Sequence, residues 1–222
     1  MIPDLTPIFQ QYEALRAQTD AVFATVRSQF PQCVTCKEGC SDCCHALFDL
    51  SLVEAMYLNR AFQAHFGYGP ERSAILERAS ETDRQLTRLK RDLFREEKAG
   101  KSAEDIMAEA ARVKSRCPLL GEDDRCLLYE ARPITCRIYG VPTSIAGKGH
   151  VCGFAAFEKG QSYPTVHLDK IQDRLADLSR AIADTVESRF KELHEVYVPL
   201  SMALLTRYDE AYLGIGPAKR EE

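Results

Sequence analysis

Nine cysteines dominate the chemistry open to this sequence, and they fall into two groups. Cys33, Cys36, Cys40, Cys43 and Cys44 lie within twelve residues, with His45 directly after them. Cys117, Cys126, Cys136 and Cys152 follow much later, and there is no cysteine in the first 32 residues or after residue 152. Cysteines that merely fill a core scatter along a chain, and these do not. Thiolates separated by two or three residues can converge on one cation, which offsets their mutual repulsion. Gly39 supplies the backbone freedom that such a tight knuckle needs. All nine cysteines are therefore candidate metal ligands.

Two kinds of centre fit the count. Zinc takes four Cys or His ligands in a closed tetrahedron, so eight of the nine sulfurs could make two sites. Alternatively, four thiolates could hold one iron-sulfur cluster. Closely spaced thiolates plus a remote one suit a cubane, so a [4Fe-4S] cluster is the favoured cofactor and zinc the alternative. Cys36, Cys40 and Cys43 also match the spacing used by radical S-adenosylmethionine enzymes, but the chain lacks the strand-helix repetition of those partial barrels. His45 or His150 could replace a sulfur. An odd count, an adjacent pair and no export signal argue against a disulfide framework, and Cys43 or Cys44 could be a spare, oxidisable thiol. Arg116, Arg125 and Arg137 each neighbour a cysteine. They could offset the charge of a thiolate centre, or pair instead with Glu122, Asp123, Asp124 and Glu130.

Helices must position these groups. Ile8, Tyr12, Leu15, Thr19, Val22, Val26 and Phe30 recur at the spacing of one buried helical stripe, and Pro31 ends it. Ser51 with Glu54 makes a capping box for a helix from Leu52 to Phe66, with Gly67 as a left-handed stop. A charged segment, 70–98, holds a narrow seam through Ile75, Ala79, Thr82, Leu86, Leu89 and Leu93; it reads as a helical arm of the same domain or as a surface for self-association or a protein partner. Gly100 breaks it, and Ser102 with Asp105 caps another helix ending near Ser115. A small β-hairpin is expected around Gly121–Asp124. Pro133 opens a short helix carrying Cys136. Residues 140–153 read as a loop, 166–190 as a helix, and a last helix follows Pro199.

The predicted fold is mainly α: a helical domain with long helical hairpin arms around a cysteine-rich metal-binding core with a small β-hairpin. One domain over 1–222 is expected, its cysteine core at 31–50 plus 115–155 and its arms at 5–30, 51–115 and 166–213. The net charge of -4 and pI near 5.8 give no reason to expect nucleic acid as a partner. No apolar run is long enough for a membrane span and no secretory signal opens the chain, so a cytoplasmic protein is expected. Nucleophile elbows, phosphate-cradling loops and His-Glu-x-x-His pairs are missing. Arg132-Pro133 could bind an anion or orient the cysteine loops.

The pattern resembles the YkgJ-like cysteine-cluster family. The residues that carry the likeness are Cys33, Cys36, Cys40, Cys43 and Cys44, followed by Leu50-Ser51-Leu52-Val53-Glu54-Ala55. The second signature is Cys117-Pro118-Leu119-Leu120, then Arg125-Cys126-Leu127-Leu128-Tyr129-Glu130-Ala131-Arg132-Pro133, then Cys136-Arg137. The three-residue gap between Cys36 and Cys40 departs from the shorter spacing more usual in that family. The resemblance implies chelation of zinc or iron and supplies no reaction. Three readings follow: a metal-cluster protein with redox or modification chemistry, a zinc-stabilised interaction module, or a metal storage or delivery protein.

Overall fold

The computed structural model describes residues 1–37, 39–110 and 112–216, of residues 107 and 108 the backbone alone. Helix dominates it. The first helix, α1 (Thr6–Gln29), buries Ile8, Phe9, Tyr12, Leu15, Thr19 and Val26. That is the expected stripe with two exceptions: Val22 is 44% exposed, and Phe30 is the half-buried C-cap beyond the helix.

Helix α2 (Leu52–His65) is the centre of the molecule. Every residue from Leu52 to Met56 is buried, because α2 lies between two apolar clusters. Leu52, Val53 and Met56 join α1, the short helix α5 (Ile134–Ile138) and helix α6 (Leu168–Thr185) in the first. Ala55, Leu58 and Phe62 join α3 (Pro70–Lys98) and α7 (Leu200–Leu205) in the second. The Ser51–Glu54 capping box forms as expected. Gly67, however, stays outside the left-handed region; α2 ends because Phe66 turns extended.

Helix α3 packs its Ile75, Ala79 and Leu86 inward. It also clasps the second cysteine segment: Arg78 Nε donates to the Pro118 carbonyl at 3.1 Å. Helix α4 (Ala103–Ala110) is shorter than expected, although Ser102 Oγ does accept the Asp105 amide at 3.1 Å. The chain leaves it because residues 115 and 117 lie against the first cysteine group, Ser115 N donating to His45 O at 3.1 Å.

Strands are short and carry little periodic signal. Asp49–Ser51 (β1) runs antiparallel to Tyr197–Pro199 (β5), with Leu50 opposite Val198. The expected loop at 140–153 contains a hairpin instead, Thr143–Ile145 (β2) with Lys148–His150 (β3). Ala146 (φ 48) and Gly147 (φ 74) form its two-residue left-handed turn. Val166–His167 (β4) pairs parallel with β2, which takes these residues out of the expected 166–190 helix. The hairpin expected around Gly121–Asp124 reduces to one bridge between Leu120 and Cys126. No helix among the described residues is long and apolar enough to cross a membrane.

Candidate metal centre

Two chain segments distant in sequence meet at the cysteines. Cys43 and Cys44 sit in a single 3-10 turn, Asp42–His45. Cys117 lies beside that turn, its amide donating to the Cys44 carbonyl at 2.7 Å. Cys126 arrives by the bridge to Leu120. Cys136 arrives on α5, whose start is fixed by α2: Glu54 Oε1 accepts the Ile134 amide at 3.1 Å, while its other oxygen accepts the Ser51 amide and hydroxyl. A buried carboxylate thus holds both helices, which gives the Leu50–Ala55 motif a physical task.

Arg137, next to Cys136, points away from the sulfurs. Its guanidinium binds Asp20 at 2.6 Å and the carbonyls of Arg132 and Glu130, tying α5 to α1. Arg116 donates to the carbonyls of Leu120 and Gly121, and Arg125 meets Asp123 at 3.5 Å. None of these three contacts is with a sulfur. Arg116 and Arg132 both line the sulfur pocket; Arg132 stacks at 3.5 Å on Tyr129, and its charge favours the thiolates of Cys43 and Cys126.

The sulfurs divide into an inner and an outer group. Cys43, Cys44, Cys117, Cys126 and Cys136 line one cavity of about 50 Å³, walled on the far side by Phe48, Leu58, Leu86 and Leu200. The Cys43 thiol is held well below its usual range, chiefly by a hydrogen bond from Cys136, then by one from Cys44, with Arg132 assisting. Cys44 and Cys136 are pushed up by those same bonds and by burial, so they are the protonated partners. Burial pushes Cys117 up to about 12 against backbone N–H bonds from Leu119 and Leu120. Burial also raises Cys126, against the Leu128 amide. Ser201, which sequence reasoning missed, adds a buried hydroxyl to the wall of this cavity. That hydroxyl has no partner among the described residues.

Cys152 joins the first cysteines rather than the second set. Its loop is pinned to residues 33–35: Thr35 Oγ1 donates to Phe154 O at 2.7 Å, and Ala156 N to Cys33 O at 2.9 Å. The Cys152 sulfur donates to Asp42 Oδ2 at 3.3 Å. Cys36 is pushed up to about 12, first by burial, then by the charge of Cys40 and a hydrogen bond with it, with Cys43 and Cys152 in electrostatic reach. Gly39 (φ 82) permits the turn between Cys36 and Cys40. Cys33 is buried, its amide donating to Phe30 O at 3.0 Å. His150 lies in β3, while His45 has its Nδ1 against Ser41 O at 3.0 Å.

All nine cysteines are free thiols. The donor set fits a thiolate-bound metal: soft sulfurs, amides aimed at them, a cation and an unpaired hydroxyl in an apolar wall. The sulfurs are gathered without being closed on a point. Among the described residues, no three His, Cys, Asp or Glu side chains form a group that could hold an ion as they stand. Thiol-to-thiol hydrogen bonds occupy the place that ligand bonds would take.

A cysteine-rich helical protein with interleaved thiol groups is the class these features define. Residues 35–153 match the model of the CxxCxxCC family, described as "Putative zinc- or iron-chelating domain". The match covers more than half of the chain, and the chain belongs to that family. Cys33 falls outside the matched residues. No curated protein and no solved structure matched in the same comparisons.

Proposed function

We propose that this chain is a thiolate metal-binding protein whose inner pocket holds one ion, zinc or iron, through Cys44, Cys117, Cys126 and Cys136, with Cys43 beside them. The observation that carries the reading is the amide bond from Cys117 to Cys44 O, which sets the two cysteine segments side by side around one cavity. Hydrogen-bonded contact between Cys43, Cys44 and Cys136 suits a single ion. Four sulfurs about 2.3 Å from one zinc stand roughly 3.8 Å apart along the tetrahedron edges. The thiolates of a cubane sit on four separate irons and stand farther apart. Bound there, the ion would act as a cross-link between distant segments. The residues supply the rest: amides of Leu119, Leu120 and Leu128 stabilise thiolates, and Arg132 and Ser201 offset their charge.

A [4Fe-4S] cluster is the second reading, favoured by five sulfurs around one largely apolar cavity. Anaerobic purification with elemental analysis and an absorption spectrum separates the two. One zinc or iron per pocket without acid-labile sulfide supports the mononuclear reading. Broad absorption near 400 nm with equal iron and sulfide supports the cluster. Full metal retention in Cys117→Ser contradicts both.

A further inference from the structure

We propose that Cys36, Cys40 and Cys152, together with the carboxylate of Asp42, form a second metal site that is open to solvent, separate from the inner pocket, and takes a soft divalent ion such as Zn²⁺. It rests on the thiolate-binding reading above. The first argument is the regrouping of the sulfurs. Cys152 is drawn to Cys36 and Asp42 by the pinned 152–156 loop, while Cys44 turns toward Cys117, Cys126 and Cys136. The two groups also rest on different parts of the molecule. Cys36 packs on the apolar cluster of α1 and α6, whereas Cys117 and Cys126 pack on that of α3 and α7. Adjacent residues Cys43 and Cys44 stand where the groups meet.

The second argument is the donor chemistry. An ion takes about four ligands in a tetrahedral site, so the inner pocket is saturated without the outer sulfurs. The Cys152 sulfur accepts the Phe154 amide at 3.5 Å and donates to Asp42 Oδ2 at 3.3 Å, which sets it against the carboxylate that shares the site. Three sulfurs and one carboxylate make a donor set that zinc accepts. His45 is a further donor at the same edge. Its Nδ1 is engaged by Ser41 O, the bond that fixes a tautomer with Nε2 available for a metal.

The third argument is access. Cys40, Asp42 and His45 line an open cleft with Lys37, Lys114 and Phe154. The inner cavity is smaller, about 50 Å³, and less open than that cleft. An ion at the outer group would meet solvent and competing ligands more readily than one at the inner group. The two sites should therefore differ in exchange rate more than in ligand type.

The test uses the full chain, reduced and loaded anaerobically with Zn²⁺, then freed of excess. Elemental analysis should count two zinc ions per chain. Challenge with a colorimetric zinc chelator should release one at least tenfold faster than the other. Cys152→Ser and, separately, Cys40→Ser should each leave one zinc and abolish the fast phase. Asp42→Asn, which keeps every sulfur, should accelerate the fast phase alone. Cys117→Ser should remove the slow phase. A single zinc in the wild-type chain, held in the slow phase, overturns the second site. So does retention of two zinc ions in both Cys40→Ser and Cys152→Ser. Loss of all zinc binding in the wild-type chain sinks the chelation reading itself.

Discussion

The amide of Cys117 donates to the carbonyl of Cys44 at 2.7 Å, joining residues about 73 positions apart in the chain. Both residues line the inner cavity, so whatever holds the sulfurs together also closes the long loop through α2, α3 and α4. Closing a loop of that length costs about 4 kcal/mol in chain entropy. Metal removal should return that cost to the fold. Chelated, reduced protein is expected to melt roughly 8–16 °C lower than the metal-bound form, using the size-scaled conversion of stability into melting temperature. Restoring metal should restore the transition. An unchanged melting temperature rules out the cross-linking role.

Arg132 lines the cavity beside Cys43, Cys126 and Cys136, and its charge favours the thiolates of Cys43 and Cys126. Arg132→Ala should weaken zinc binding about 10–100-fold, the usual effect of removing a group that supports metal ligands. Competition titration against a chelator of known affinity measures this. Arg132→Lys should recover part of the loss by charge alone. Arg125→Ala, whose guanidinium meets Asp123, should bind zinc as the wild type does. Equal losses in Arg125→Ala and Arg132→Ala would disprove the assignment.

Glu54 is 4% exposed, and burial raises its pKa above the ordinary glutamate value of 4.5 against the hydrogen bonds from Ile134, Ser51 and Tyr12. A carboxylic acid whose folded pKa is raised favours the folded state while protonated. That contribution is complete below the unfolded pKa, and it is lost as pH rises through the folded value. Wild-type stability should therefore carry a downward slope with pH starting near 4.5. Glu54→Gln cannot ionise, so denaturant unfolding at a series of pH values should show the gap between the two proteins changing in that window. A pH-independent gap contradicts the buried-acid account.

Gly140 leaves room for the outer group. A Cβ there would stand 2.9 Å from both Cβ and Sγ of Cys36. Gly140→Ala must displace that side chain, at roughly the 1–3 kcal/mol typical of overpacking. Thermal unfolding should show the loss, and metal analysis should show the inner ion retained. A variant as stable as the wild type would mean that the chain has slack beside Cys36.

Much of this was legible before any coordinates. Periodicity located α1, α3 and α6, because their apolar residues face a core at helical spacing. The Ser51–Glu54 box and Pro133 marked two helix starts. Clustering of cysteines named the chemistry and the family. What escaped were features made by tertiary contact. Two- and three-residue strands such as β1, β4 and β5 carry no alternation to read. Sequence proximity grouped Cys152 with Cys117, yet loop pinning at Thr35 and Cys33 brings it to Cys36. Adjacent arginines drew attention to positions 116, 125 and 137; Arg116 does line the sulfur pocket, and so does Arg132, which has no cysteine next to it in the chain. Glu54 was legible as a cap; that it also seats α5 depends on packing alone. Ser201 had no signal, since a lone serine at a helix start is commonplace.

X-ray absorption at the metal edge of the protein as purified tests the account most directly. It predicts a first shell of sulfur atoms, about four at roughly 2.3 Å for zinc, reduced when Cys117 and Cys136 are both replaced by serine. A first shell of nitrogen and oxygen, or a sulfur shell untouched by that double replacement, contradicts it.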